Sequence, residues 1–176
     1  PVIDAIATQV VSEDIDEVLT VTGTDVDIGT NDQLLTYTVY SDDTSLVTVS
    51  TSNIVTTNST MSVDIALDVQ DEQNGEAEIR VVLTDSDGAE DEVTFNVTVS
   101  AVNDVPVIGS IDDHVLTEDN DGMLTVTADD IDMVTNAQLL TYLVESDDES
   151  LVMVSTSNVV IVEDHISVDI SLDVHI

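Results

Sequence analysis

Carboxylates dominate the chemistry open to this chain: 38 Asp and Glu residues stand against one arginine, Arg80, and no lysine, for a formal net charge of -37. Such a balance disfavours nucleic acid and anionic membrane surfaces as partners and favours cations. Calcium takes about six to eight oxygens at roughly 2.3–2.6 Å and accepts carboxylates, amide carbonyls and backbone carbonyls from several loops. The acidic residues fall in short groups suited to that role: Glu13-Asp14, Asp25-x-Asp27, Asp42-Asp43, Asp68 with Asp71, Asp85-x-Asp87, Asn103-Asp104, Glu118-Asp119 and Asp130-x-Asp132. On an extended loop alternate side chains share a side, so an Asp-x-Asp pair can turn both carboxylates to one ion.

Other chemistry finds less support. His114, His165 and His175 lack the spacing of a zinc site and read as solvated side chains. No Gly-x-Ser-x-Gly elbow accompanies the serines. Asp25-Val26-Asp27 and Asp85-Ser86-Asp87-Gly88 resemble the start of an EF-hand loop but lack the bidentate Glu that closes one. Tyr37, Tyr40, Phe95 and Tyr142 are the only aromatic residues, and Tyr37 and Tyr142 read as core, which weakens a sugar-stacking platform. No residue stands out as catalytic, and the reading is non-enzymatic. Asn58-Ser59-Thr60 and Asn96-Val97-Thr98 fit the glycosylation pattern.

The elements that must position the carboxylates are strands. Apolar residues recur with period two: Met61, Val63, Ile65 and Leu67, then Ala77, Ile79, Val81 and Leu83, then Val93, Phe95, Val97 and Val99. Apolar or β-branched runs at 18–22, 34–39 and 46–50, with an edge strand at 6–11, bring the count to about seven in roughly 100 residues, the number of an immunoglobulin-like sandwich. Hydrophobic residues make up 42% of the chain, so a core forms despite the charge.

Residues 1–71 return as 106–176 without a gap, roughly 40 of the 71 positions being identical. The expected organisation is all-β: tandem immunoglobulin-like antiparallel sandwiches, a complete repeat over 1–104 and an incomplete one over 105–176 that lacks its last two strands. Because alternate loops fall at opposite ends of a sandwich, Glu13, Asp14, Asp68, Asp71, Asn103 and Asp104 share one end of the first repeat. Asp129, Asp130 and Asp132 of the second are expected to face that end, forming a carboxylate-rich junction. Asp25, Asp27, Asp85 and Asp87 at one outer end, and Glu118 and Asp119 at the other, are half-sites for neighbouring repeats.

Glu13-Asp14, Leu67-Asp68, Val102-Asn103-Asp104 followed by Pro106, and Asp130-Ile131-Asp132 resemble the calcium positions of cadherins and of bacterial cadherin-like tandem repeats. Asp85-Ser86-Asp87-Gly88 and Ala101-Val102-Asn103-Asp104-Val105-Pro106 bring the bacterial repeats nearest, and the resemblance covers the whole chain. It implies calcium held by Glu13, Asp14, Asp68, Asn103, Asp104, Asp130 and Asp132, stiffening the linkers of a long surface adhesin. Ala101 and Val105 stand where that family has an acid and an amide, which implies fewer ions at the joint or replacement of those ligands by Asp42 or Asp71.

The expected role is therefore a structural, calcium-stiffened repeat of an extracellular adhesin or cell-surface filament. Its partners would be adjacent repeats or identical subunits head to tail, with a surface receptor or glycan also open. Carboxylates at this density repel one another unless divalent ions or salt are present, conditions commoner outside cells. The second reading is a self-assembling filament protomer whose incomplete repeat is completed by strands of a neighbouring chain. A polysaccharide-binding accessory module is third.

Overall fold

The computed structural model describes residues 1–175, and the chain divides into two units, Pro1–Val102 and Asn103–Ile176. The division falls two residues before the boundary expected after Asp104. Its cause is local: Asn103 and Asp104 are hydrogen-bonded to Gln138 and Asp132 of the second unit.

Among its described residues the first unit holds strands β1 (Val2–Ile3), β2 (Gln9–Ser12), β3 (Glu17–Thr24), β4 (Leu35–Ser41), β5 (Val47–Thr57), β6 (Thr60–Val69), β7 (Gly75–Asp85) and β8 (Glu90–Ser100), with a short helix, α1 (Val26–Asn31), between β3 and β4. They form two four-stranded sheets, in the orders β1-β3-β6-β5 and β2-β8-β7-β4. All pairs are antiparallel except β2 with β8, which run parallel. This is the two-sheet arrangement of an immunoglobulin-like sandwich.

One detail departs from expectation at the start of the repeat. The first strand, expected at 6–11, is divided: β1 pairs with β3 in one sheet and β2 pairs with β8 in the other. The intervening residues carry the chain from sheet to sheet. The period-two pattern does place the core: Met61, Val63, Ile65, Leu67 and Val69 of β6 face Ala77, Ile79, Val81 and Leu83 of β7 and Phe95, Val97 and Val99 of β8 across the sandwich. Each fully buried aliphatic side chain contributes about 1.5–3 kcal/mol. Tyr37 of β4 closes this core, and its hydroxyl donates to the Met61 carbonyl at 3.3 Å.

β5 continues to Thr57, well beyond the expected 46–50, because its pairing with β6 shifts register between Ser52 and Val55. Asn53 sits there in the left-handed region at φ 48. Its Nδ2 donates to Asp64 Oδ2 at 2.8 Å, and Thr20 Oγ1 donates to Asp64 Oδ1 at 2.6 Å. One carboxylate thereby pins three neighbouring strands at a bulge.

The second unit contains β9 (Val107–Ile108), β10 (Gly122–Asp129), α2 (Asp132–Thr135), β11 (Val152–Val162) and β12 (His165–Val174). Among the described residues they make one sheet, β11-β12-β10-β9, which repeats the β5-β6-β3-β1 order of the first unit. The bulge repeats as well: Asn158, at φ 48, and Thr125 both donate to Asp169.

Residues 139–145, expected as a strand equivalent to β4, are not in one. In the first unit β4 is held by β7, and among the described residues of the second unit no strand pairs with 139–145. Tyr142 still packs on Val126, Val168 and Ile170 with Val144 beside it, while Leu139 and Leu143 are exposed.

Candidate acidic end loops

The site is built from loops that the strands bring to the ends of each unit. In the first unit Glu13 follows β2, whose parallel pairing with β8 continues through a hydrogen bond from Glu13 N to Ser100 O at 3.0 Å. The Val102 amide then donates to Glu13 Oε1 at 2.5 Å. Glu13 is only 1% exposed, and its other oxygen, Oε2, is buried with no hydrogen-bond partner. Asp14 beside it takes a left-handed conformation at φ 63, and its Oδ1 accepts from Glu72 N at 3.0 Å. Asp16 Oδ1 accepts from Val69 N at 3.0 Å. Asp68 is exposed and accepts from Thr48 Oγ1 at 3.2 Å, and Asp71 is exposed.

At the opposite end of this unit Asp25 caps α1: its side chain accepts from Asp27 N at 2.8 Å. Asp85 Oδ1 accepts from Asp87 N at 3.0 Å and Ala89 N at 2.8 Å, shaping the β7–β8 turn, and Gln33 Nε2 reaches across to Asp87 Oδ2 at 3.2 Å. The loops carrying Asp25, Asp27, Asp85 and Asp87 therefore meet at one end. Asp27 Oδ1 accepts from Asn31 Nδ2 at 2.9 Å.

In the second unit Asn103, Asp104, Asp130 and Asp132 come together. Asp104 N donates to Asp132 Oδ2 at 2.7 Å, and Asp132 N to Asp130 Oδ1 at 3.0 Å. Gln138 Nε2 donates to Asn103 Oδ1 at 2.6 Å. Asp130 and Asp132 are 4% and 1% exposed, and Asp130 Oδ2 is buried without a partner. The expectation of an extended Asp-x-Asp loop is corrected in both repeats. Asp25 is extended but Asp27 lies inside α1; Ile131 is already helical at φ -62 and ψ -31, and Asp132 opens α2. Each pair is thus held by one residue's amide bonding to the other's carboxylate.

Glu118 and Asp119 are exposed; Asp119 has φ 62, matching Asp14, but Glu118 lacks the enclosure of Glu13. Glu13 is enclosed by Ser100 of β8 and Val102, a setting that Glu118 does not have among the described residues. His165 Nδ1 lies 2.6 Å from Asp129 Oδ1, a pairing that spacing did not disclose.

Among the described residues no three acidic or histidine side chains are close enough to hold a metal ion by themselves. The donor sets are carboxylate pairs joined by amide and backbone oxygens. Their chemistry fits a hard cation, since calcium accepts all three oxygen types, and Glu13 Oε2 and Asp130 Oδ2 are buried carboxylate oxygens without a donor.

No protein family matches the chain, and no curated protein matches it. Among solved structures it is similar to a GspB Siglec domain, at 14% identity and a TM-score of 0.42, over 67% of this chain and 63% of that one. It is similar also to surface layer protein SbsC, domains 4–9, at 20% identity and a TM-score of 0.36, over 97% of this chain and 26% of that one. SbsC domains 5–6 give 21% identity and a TM-score of 0.33, over 98% and 85%. The class defined by the fold is all-β with immunoglobulin-like strand order, and it rests on the strand pairing described above.

Proposed function

We propose that the chain is a structural, non-enzymatic segment of an extracellular or cell-surface protein, whose repeats bind calcium in their acidic end loops. The observation that carries this reading is the pair of buried carboxylates, Glu13 and Asp130, each with an oxygen that no donor satisfies. An ionised carboxylate removed from water costs several kcal/mol unless a positive partner compensates it. Arg80 is the only basic side chain apart from three histidines, so a divalent ion is the partner with suitable chemistry. Glu13 and Asp14, with Asp68 and Asp71, would serve the first unit; Asn103, Asp104, Asp130 and Asp132 would serve the second. Bound calcium would neutralise these loops and fix their conformation, which is what a load-bearing surface repeat requires. Calcium sites of extracellular modules work at about 0.1–1 mM. Among the described residues no helix is long and apolar enough to cross a membrane.

Calorimetry with millimolar calcium and with chelator tests this. Calcium at about ten times Kd adds about 1.4 kcal/mol per site, visible as a rise of a few degrees in Tm. Glu13→Gln and Asp130→Asn should reduce the calcium-dependent rise. Equal Tm in calcium and chelator would remove the calcium reading.

A second reading is favoured by residues 139–145, which keep an alternating exposed and half-buried pattern without a sheet partner. Here the chain is a filament protomer and a strand from a neighbouring subunit pairs with this segment. Sedimentation and electron microscopy of the purified chain decide it: concentration-dependent polymers support donation, and a monodisperse monomer at high concentration ends it.

A further inference from the structure

Gln33 and Gln138 occupy equivalent positions in the two repeats, directly before the shared Leu-Leu-Thr-Tyr sequence. Each has a side-chain carbonyl oxygen, Oε1, that is buried and has no hydrogen-bond donor. The amide nitrogens, in contrast, are engaged: Gln33 Nε2 with Asp87 Oδ2 at 3.2 Å, and Gln138 Nε2 with Asn103 Oδ1 at 2.6 Å. A buried acceptor left unsatisfied costs about 1–3 kcal/mol. Its recurrence at the same position in both repeats calls for an electropositive group that the protein itself does not provide.

The surrounding hydrogen bonds say where that group belongs. Gln138 N donates to the Asp132 carbonyl at 2.9 Å, Asp132 N to Asp130 Oδ1, and Asp104 N to Asp132 Oδ2. Gln138, Asp130 and Asp132 therefore belong to one hydrogen-bonded circuit, and two of its oxygens, Asp130 Oδ2 and Gln138 Oε1, have no donor. In the first unit Gln33 N likewise donates to the carbonyl of Asp27, at 3.3 Å.

We infer that Gln33 and Gln138 are neutral oxygen ligands of a divalent cation held within each repeat, beside Asp25 and Asp27 in the first and Asp130 and Asp132 in the second. This rests on the calcium reading above and adds to it a ligand type and a site internal to each repeat. A neutral carbonyl fills a coordination position without adding to the repulsion of a chain at -37, and the number of charged ligands is what tunes calcium affinity.

The test is calorimetric titration of calcium into the full chain and its Gln33→Met/Gln138→Met and Gln33→Glu/Gln138→Glu variants. The Met variant should lose at least about tenfold in affinity, the loss that even an outer-shell partner brings. Its Tm in chelator should stay within a few degrees of the parent, since a purely structural glutamine would move that Tm and leave calcium affinity alone. The Glu variant, which keeps the oxygen, should bind as tightly as the parent or more so. Unchanged affinity in the Met variant overturns the glutamine assignment while leaving the calcium reading intact. Absence of calcium binding by the parent chain at millimolar concentration overturns both. Should the Met variant fail to fold, the Glu variant decides: retained binding supports the assignment and lost binding overturns it.

Discussion

Two stretches of nearly the same sequence behave differently in the two repeats. Leu35–Ser41 forms β4, paired residue by residue with β7, whereas residues 140–146, with Leu-Thr-Tyr and Val at matching places, form no strand. The β1-β3-β6-β5 sheet, by contrast, is reproduced in both units down to the bulge at Asn53 and Asn158. The difference lies in the partners. Strands of the reproduced sheet find their neighbours within the first 71 positions of the repeat, and β4 depends on a strand that comes later. Alternating apolar residues provide a strand's faces, but its backbone groups need a neighbour to hydrogen-bond.

Hydrogen exchange offers the strongest way to break this comparison. Amides of β4 that pair with β7 should be protected by about 10³-fold or more, as in the interior of a stable domain, and those of 140–146 should exchange near the unprotected rate. Equal protection would mean that the second segment finds a partner in solution. Core truncation comes next. Leu46 is 5% exposed and its equivalent Leu151 is 57% exposed, so Leu46→Ala should cost about 2–5 kcal/mol in denaturant melts and Leu151→Ala within about 0.5 kcal/mol.

A smaller effect concerns Gly23, whose equivalent is Ala128. A Cβ at Gly23 would lie 2.5 Å from Leu83 Cδ2 and 2.6 Å from the Tyr37 hydroxyl. Leu83 belongs to β7, and at the equivalent position the second unit carries Ala128, which is buried at 3% exposure. Gly23→Ala should destabilise by about 1–3 kcal/mol, whereas Ala128→Gly should cost only about 0.5–1 kcal/mol.

The smallest effect should be the same in both units. Hydrogen bonds from Thr20 and Asn53 hold the Asp64 carboxyl below its ordinary 3.8, and those from Asn158 and Thr125 do the same for Asp169. A depressed folded value means that this stabilisation is present above about pH 3.8 and is lost as pH falls through the folded value. Asn53→Ala and Asn158→Ala should therefore lower Tm at neutral pH, with the deficit shrinking below pH 4. A deficit independent of pH would assign the effect to backbone strain at φ 48 instead.

The long alternating strands β6, β7 and β8 were legible in the sequence because period-two burial on a sandwich leaves a direct trace. The split of the first strand was not, since β1 and β2 are too short to show a period. β5 was cut short because residues 50–57 are all exposed and leave no period-two trace. The helix α1 spans less than two turns, too few for a helical period, although Asp25 as N-cap and Asp32 in a left-handed C-cap were available signals. Among site residues, acid groups advertise themselves by composition, so Glu13 and Asp130 were candidates at once. Nothing in composition separates those two from their exposed neighbours, because burial depends on Val102, Ser100 and Asp104, which the fold supplies. Gln33 and Gln138 went unnoticed as polar turn residues, and their recurrence at one position of the repeat was the usable sign.

Arg80 lies at the middle of β7, between β4 and β8, with its guanidinium 4.4 Å from the Tyr40 ring centroid and 3.0 Å from Glu92. With no lysine in the sequence, the Arg80–Val81 bond is the only peptide bond trypsin can recognise. A strand in the middle of a sheet cannot enter a protease active site without leaving its ladder, so cleavage there requires the first unit to open. The chain thereby resists a whole class of proteases while folded, and the rate of one cut, yielding two fragments, becomes a built-in clock for the unfolding of that unit.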